Sequence, residues 1–183
     1  MELFTAQDYE LTTMDQIAER ADIARRTLFN HFPRKRDILE VWSRRRNEQL
    51  TATFAQERFQ HLSTREQLAA YFTILADVNA SDPALARIIA TGRLIEMSTL
   101  EEPYPVFEAF RLSIARGQDT GEITGNTSAE LAADILSGCY TASLQRWLIA
   151  GDPDADSLRE SLRTKLDLVL DGLAKHQEVQ VDH

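Results

Sequence analysis

The sequence predicts an all-α fold, and three observations lead to that prediction. Apolar residues recur at the three- to four-residue spacing of helices, whereas no segment alternates β-branched and polar residues as a strand would. Helix breakers are scarce, since the 183 residues include only 7 Gly and 5 Pro. A hydrophobic content of 43% is sufficient for a buried core. We therefore expect a chain of helices joined by short loops.

The first helices are predicted to be short and close together. The Thr-Met-Asp-Gln stretch at 13–16 is typical of a capping box, in which the threonine hydroxyl and the glutamine side chain satisfy free backbone amides. After a turn at Asp22, a second short helix is expected to run to about Phe32. Leu28 would lie on its buried face. Two such helices with a tight turn between them have the spacing of a helix-turn-helix.

A long helix is predicted from Lys35 toward Phe59, because no Gly or Pro interrupts that stretch. It would join a head, residues 1–44, to a body, residues 45–183. The body is expected to contain five further helices, at about 64–79, 83–99, 105–116, 128–150 and 156–174.

Charge is distributed unevenly along the chain. The formal net charge of -9 argues against a nucleic-acid partner, because Lys and Arg supply most non-specific affinity for DNA. Residues 20–46, however, hold nine basic and three acidic side chains, whereas residues 47–183 hold 11 and 21. A basic reading head on an acidic body would have this pattern, and so would a solvated charged helix face.

Several classes of protein are disfavoured. Cys139 is the only cysteine, so neither an intramolecular disulfide nor a cysteine-built metal site is expected. No long apolar run or leader pattern is present, so we expect a cytoplasmic protein without membrane insertion. There is no glycine-rich phosphate loop, no metal-ligand spacing among the four histidines and no Gly-x-Ser-x-Gly motif. The sequence therefore predicts a protein that is not an enzyme and needs no metal or cofactor.

The N-terminal residues carry a more specific signal than helix spacing alone. Over roughly residues 3–42 the chain resembles, without gaps, the N-terminal signature of the TetR (tetracycline-repressor) family of DNA-binding regulators. The residues in register are Leu3-Phe4, Tyr9, Thr12-Thr13-Met14, Ile17-Ala18, Ala21, Ile23, Thr27-Leu28-Phe29, His31-Phe32-Pro33, Lys35 and Ile38-Leu39.

This resemblance implies that the second short helix reads the major groove of double-stranded DNA. Arg25 and Arg26 open that helix, where a guanidinium can fork onto guanine or clamp a phosphate. Lys35 would add its charge to the positive end of the long helix and bind a backbone phosphate. The expected DNA-binding residues are Thr13, Arg25, Arg26, Thr27, Phe29, Asn30, His31 and Lys35.

The chain also departs from the family pattern. Asp8 and Asp22 stand where glycine is usual, Ala24 replaces a capping serine, and Phe29 replaces a tyrosine. Relatives normally have a further turn of helix before Leu3. Either the natural start therefore lies upstream, or the head is less well supported. These departures leave open a second function, a helical ligand-binding or adaptor protein that has lost DNA binding.

The last two helices carry the predicted homodimer interface. In the family these helices pair with their symmetry mates as a four-helix bundle. The helix at 156–174 presents an apolar stripe, which would alternatively face the protomer's own core. The helix at 128–150 presents Leu131 and Ile135 together with small residues that allow close approach. The expected interface residues are Gly138, Ala142, Leu158, Leu162, Leu166, Val169 and Leu173.

Aromatic and polarizable residues concentrate in the body, where the resemblance implies a pocket for a small, largely apolar effector. The expected wall residues are Tyr71, Phe72, Arg93, Met97, Phe107 and Phe110. The sequence thus predicts a homodimeric repressor that such an effector releases from a palindromic operator.

Overall fold

In the computed structural model, the described residues are 3–4, 9, 11–96, 105–150 and 154–173, with side chains at 91–96 and 105 left out. Within these ranges the chain forms eight α-helices, one 3-10 turn (Glu57–Phe59) and no strand, so the all-α prediction is confirmed. The helices are α1 (Met14–Arg20), α2 (Arg25–His31), α3 (Lys35–Phe54), α4 (Thr64–Ser81), α5 (Pro83–Glu96), α6 (Pro105–Asp119), α7 (Ala129–Ile149) and α8 (Ala155–Leu173).

Two helices of the head, α1 and α3, begin with hydrogen bonds between side chains and backbone amides. The Thr13 hydroxyl accepts a hydrogen bond from the backbone N–H of Gln16 at 3.3 Å, and the Thr13 N–H donates to the Gln16 side chain at 2.9 Å. The predicted capping box is therefore confirmed. At the start of α3, the backbone N–H of Arg34 donates to the Asp37 carboxylate at 2.7 Å, which also places an acid at the positive helix end.

The head and the body share a small apolar cluster. Phe4, Leu39 and Ile88 are each buried, and their side chains pack together. Phe4 and Leu39 lie in the head, whereas Ile88 lies on α5. Movement of α5 is therefore transmitted directly to the packing of the head.

The prediction of one helix from Lys35 to Phe59 was wrong at its C-terminal end. Helix α3 ends at Phe54 and the chain turns through Ala55 into the 3-10 segment. Both phenylalanines then reach Tyr71, with ring centroids 4.3 Å away for Phe54 and 5.4 Å for Phe59. In a continuous helix these side chains, five residues apart, would point about 140° apart. Packing on one aromatic ring therefore favours the break.

The leucine stripe of α8 does not form an exposed seam, so this part of the interface prediction was wrong. Its residues fill the protomer's own core, where α8 packs against α4 and α7. Ion pairs also join α4 to α8 at the surface, since Arg65 contacts Asp171 at 2.6 Å and Arg159 contacts Asp77 at 2.8 Å. The core residues are Leu158, Leu162, Leu166 and Leu173, with Val169 packed against them.

Helix α6 approaches the start of α4 closely at Gly117. A Cβ atom on Gly117 would clash with the Thr64 hydroxyl, so only glycine fits there without displacement. Beside this contact, the Glu122 carboxylate accepts a hydrogen bond from the Thr64 backbone N–H at 2.7 Å. That bond lowers the pKa of Glu122. A carboxylate supplied from beyond α6 thus caps α4.

The remaining predicted helices are found with small shifts in their ends. Thr64–Ser81, Pro105–Asp119, Ala129–Ile149 and Ala155–Leu173 each extend or shorten the predicted range by a few residues. The predicted continuation of α5 to Thr99 lies outside the described residues. No helix in the described ranges combines the length and apolar character needed to cross a bilayer.

Candidate DNA-binding head and body sites

The head presents one polar face to solvent. Helix α2 buries Leu28, which is 4% exposed, against the head, and the side chains that flank it turn outward. Because positions two residues apart on a helix lie about 160° from each other, Arg26 and Asn30 project from the side opposite this contact, whereas Arg25, three positions before Leu28, lies beside it. Among the predicted DNA-binding residues, Thr13, Arg25, Arg26, Thr27, Asn30 and His31 are exposed, whereas Phe29 and Lys35 are half-buried.

The turn between α1 and α2 is strained. Asp22 has φ 52°, in the left-handed region that glycine adopts freely. Holding another residue there costs about 1–2 kcal/mol, although aspartate is among the more tolerant side chains. The first residue before α2, Ala24, provides no side-chain cap. These two departures from the family pattern therefore both weaken the turn that orients α2.

Arg25 already has an anionic partner within the head. Its guanidinium contacts the Asp15 carboxylate at 2.8 Å and lies 5.3 Å from the centre of the Phe29 ring. Both partners of the ion pair are mostly exposed, so the pair is weak. The contacts nevertheless hold the guanidinium between α1 and α2, at the exposed end of α2.

Lys35 has a structural role that sequence reasoning did not anticipate. Its ammonium group donates a hydrogen bond to the backbone carbonyl of Tyr9 and lies 4.3 Å from the centre of the Tyr9 ring. The side chain thereby fastens the start of α3 to the segment before α1. Tyr9 is part of the matched N-terminal signature. In the sequence, only its spacing from Lys35 could have indicated this contact.

Three of the six predicted pocket residues are buried in the body core. Tyr71, Phe72 and Phe110 are buried, and the Phe72 and Phe110 rings pack edge to face at 5.0 Å. The Tyr71 hydroxyl donates to the Phe54 carbonyl at 3.0 Å, and burial raises the pKa of Tyr71. Phe107 is half-buried against the same core. The Arg93 side chain and Met97 lie outside the described residues.

A surface cleft of about 460 Å³ lies between α4 and α8. Of the pocket candidates, only Phe72 contributes to its wall, beside Thr73, Arg159 and Arg163. The structure therefore does not bring the predicted wall residues together around this cleft. Among the described side chains, no three His, Cys, Asp or Glu residues are grouped as metal ligands.

An apolar face remains exposed on α7. Leu131 and Ile135 are 53% and 44% exposed, and Gly138 and Ala142 continue the same stripe at helical spacing. A Cβ atom on Gly138 would meet no atom within 4 Å, so the space above it is open. Leu168 of α8, which the sequence analysis missed, is 71% exposed. It was missed because it lies outside the leucine stripe that the spacing emphasised.

Comparisons with known proteins agree at two levels. Residues 1–41 match the model of the N-terminal domain of bacterial regulatory proteins of the tetR family. Over 38 residues the chain is 50% identical to the HTH-type transcriptional regulator TcmR of Streptomyces glaucescens. That match covers 21% of this chain and 17% of the length of TcmR, so it concerns the head alone.

Similarity to solved structures extends over the whole fold. Thermus thermophilus FadR, a TetR-family transcriptional repressor solved in complex with lauroyl-CoA, matches with a TM-score of 0.79 and 23% identity, over 100% of this chain and 95% of FadR. SmeT, the repressor of the Stenotrophomonas maltophilia multidrug efflux pump SmeDEF, matches with a TM-score of 0.74 and 18% identity, over 94% and 85% of the two chains. At these identities the likeness concerns the fold.

The strain at Asp22 generates a prediction. Asp22→Gly should raise the free energy of unfolding by up to about 1 kcal/mol, because relief of the left-handed conformation exceeds the added backbone entropy of glycine. Asp22→Val, which cannot adopt positive φ without a clash, should lower it by at least as much. Urea denaturation of the two variants provides the measurement. Equal stability of both would show that the turn is unstrained.

Proposed function

We propose that this chain, whose residues 1–41 match the model of bacterial regulatory proteins of the tetR family, is a transcriptional repressor released from DNA by a small apolar effector. Residues 1–44 are the DNA-binding head and residues 45–183 the effector-binding and dimerisation body. The observation that carries the proposal is the exposed basic face of α2, set on a helix-turn-helix that matches the family model. A reading helix inserts such a face into the major groove.

The charge distribution supports DNA as the partner of this face. The side chains of Arg25, Arg26 and Asn30 carry hydrogen-bond donors. Guanine, adenine and phosphate carry acceptors for them. Lys35 is fastened to Tyr9, so its contribution to binding is mainly to hold α3 and the head together. The bulk of the acidic side chains lies in the body, where repulsion from DNA is weakened by distance and salt.

The first test compares arginines in the two parts of the chain. Arg26→Ala should weaken binding to fragments of the chain's own upstream region, and should reduce the salt slope by about 0.9 for each phosphate that the variant no longer neutralises. Arg163→Ala removes the same charge from an exposed position of α8 and should change neither quantity. Fluorescence anisotropy between 50 and 200 mM salt, as approximate limits, measures both.

Failure of this test has a specific meaning. Identical salt slopes for wild type, Arg26→Ala and Arg163→Ala would remove α2 as the reading helix. If the wild type bound no DNA while still binding an apolar effector, the chain would instead be a ligand-binding protein whose head no longer reads DNA.

A homodimer is proposed because a palindrome requires two reading heads about 34–36 Å apart or a multiple of that distance. The exposed stripe of α7, with the open space above Gly138, fits the close approach of a second helix. Leu168 adds a further exposed apolar side chain on α8. The buried leucines of α8 cannot take part, because the protomer's own core already covers them.

Glutamate substitutions distinguish the exposed face from the core. Ile135→Glu should convert the dimer to a folded monomer, since pairing would bury two carboxylates. Leu162→Glu, at a position 0% exposed, should instead unfold the protomer. Leu11→Glu, at an exposed leucine of the head, is the control and should leave the dimer intact. Sedimentation velocity and circular dichroism separate these results. A dimer that persists in Ile135→Glu would contradict the assigned face.

Effector control is proposed because helix α5 packs on the head through Ile88, while the body core includes Tyr71, Phe72 and Phe110. An apolar molecule wedged among the body helices would displace α5 or α3, and both contact the head. Phe107 is the wall candidate best placed to meet a ligand, because it is only half-buried. FadR, which has the same fold, was solved with lauroyl-CoA.

The effector test relies on thermodynamic reciprocity. Among medium-chain acyl compounds, with lauroyl-CoA as one member, a compound that stabilises the protein should weaken operator binding about 5- to 150-fold at saturation. Operator DNA should weaken binding of that compound by the same factor, since the two couplings are one free energy. Thermal shift followed by paired titrations measures both. A stabilising compound that leaves operator affinity unchanged would contradict release.

A further inference from the structure

A chain of hydrogen-bonded polar side chains joins α3 to α7 through two buried residues, Asn79 and Tyr140. The guanidinium of Arg46, on α3, donates to the side-chain oxygen of Asn79 at 2.9 Å. The Asn79 amide nitrogen donates to the Tyr140 hydroxyl at 3.0 Å and to the backbone carbonyl of Leu75 at 2.5 Å. Asn79 is 1% exposed and Tyr140 is 5% exposed. Three helices, α3, α4 and α7, are therefore linked through one buried amide.

The orientation of this amide is fixed by chemistry. Arg46 carries only donors, so the amide oxygen of Asn79 must face it and the amide nitrogen must face Tyr140. A flipped amide would bring its N–H groups against the guanidinium. Because every polar atom of the Asn79 side chain then has a partner, the buried group selects one arrangement of the three helices.

The link lies between the apolar anchors at the two ends of α3. Its buried apolar residues are Leu39 near the head, and Leu50 and Phe54 in the body core. Arg46 lies between them, about 16 Å along the helix from Lys35. A pivot of α3 by about 10° around Arg46 would therefore move the start of α3 by about 3 Å. The link therefore constrains the tilt of α3 in addition to its two apolar anchors.

The other end of the link lies on the helix that carries the exposed apolar face. Tyr140 follows Gly138 by two residues, so the two positions lie on nearly opposite sides of α7. Tyr140 faces inward to Asn79, while Gly138 faces open space. A displacement of α7 would therefore change both the Tyr140–Asn79 hydrogen bond and the position of the exposed face at Gly138.

We propose that Arg46, Asn79 and Tyr140 form a polar lock that fixes the tilt of α3, and with it the head, relative to α7. The lock is a property of the protomer. Its regulatory meaning, that release of the lock repositions the reading helices, rests on the proposed function. An effector that separates α4 from α3 or α7 would open it.

Hydrogen–deuterium exchange of the full chain, without DNA or effector, tests the lock independently of the proposed function. Arg46→Met and Tyr140→Phe should each raise the exchange of α3 amides between residues 40 and 49 by about tenfold. Arg46→Lys, which keeps a donor at the end of a long side chain, should recover most of the protection. Ser143→Ala is the matched control, because Ser143 is also buried on α7 but its hydroxyl bonds the Cys139 carbonyl and, on α8, Ser161 and Lys165 instead of α4.

The outcomes are distinct. Faster exchange confined to α3 in both variants, with the control unchanged, supports the lock even if the chain proves not to bind DNA. Exchange in α3 that matches Ser143→Ala overturns it. A uniform rise across all helices also overturns it, because that pattern reports a general loss of stability.

Discussion

Helix α3 is the element on which the arrangement of the molecule depends, because its two ends are buried in different cores. Leu39 packs with Phe4 and Ile88, and Leu50 and Phe54 pack in the body. A helix is stiff over its length, so these two burials fix the head relative to the body with no need for a large interface between them. The same stiffness makes any tilt of α3 a movement of the head.

Helices α7 and α8 each have apolar residues that are buried in the body core and others that are exposed to solvent. The leucines of α8 are continuous with the body core, and the ion pairs of Arg65 and Arg159 join α8 to α4 at the surface. The exposed apolar surface is smaller and lies on α7 around Gly138, and Leu168 is a further exposed leucine on α8. Small residues let a second backbone approach, so contact there comes from close packing.

The sequence predicted the helices and the polar face of the head because those features are local. Capping at Thr13 and burial of Leu28 follow from spacing along one chain segment. The errors concern contacts between distant segments. The end of α3 is set by packing of Phe54 and Phe59 on Tyr71, and the direction of the α8 stripe is set by α4. Spacing shows that a helix has an apolar face, but not what covers it.

The contact between Arg25 and Asp15 makes the head its own competitor for anions. In the proposed DNA-binding role, the guanidinium would remain on the aspartate at a site that offers Arg25 no well-placed acceptor. A guanine edge opposite Arg25, which offers two acceptors in one plane, could take the guanidinium from the carboxylate. The internal pair would therefore lower affinity for the many incorrect sequences more than for the correct one. Discrimination would then improve through the loss of unwanted binding, since specificity is a difference between affinities.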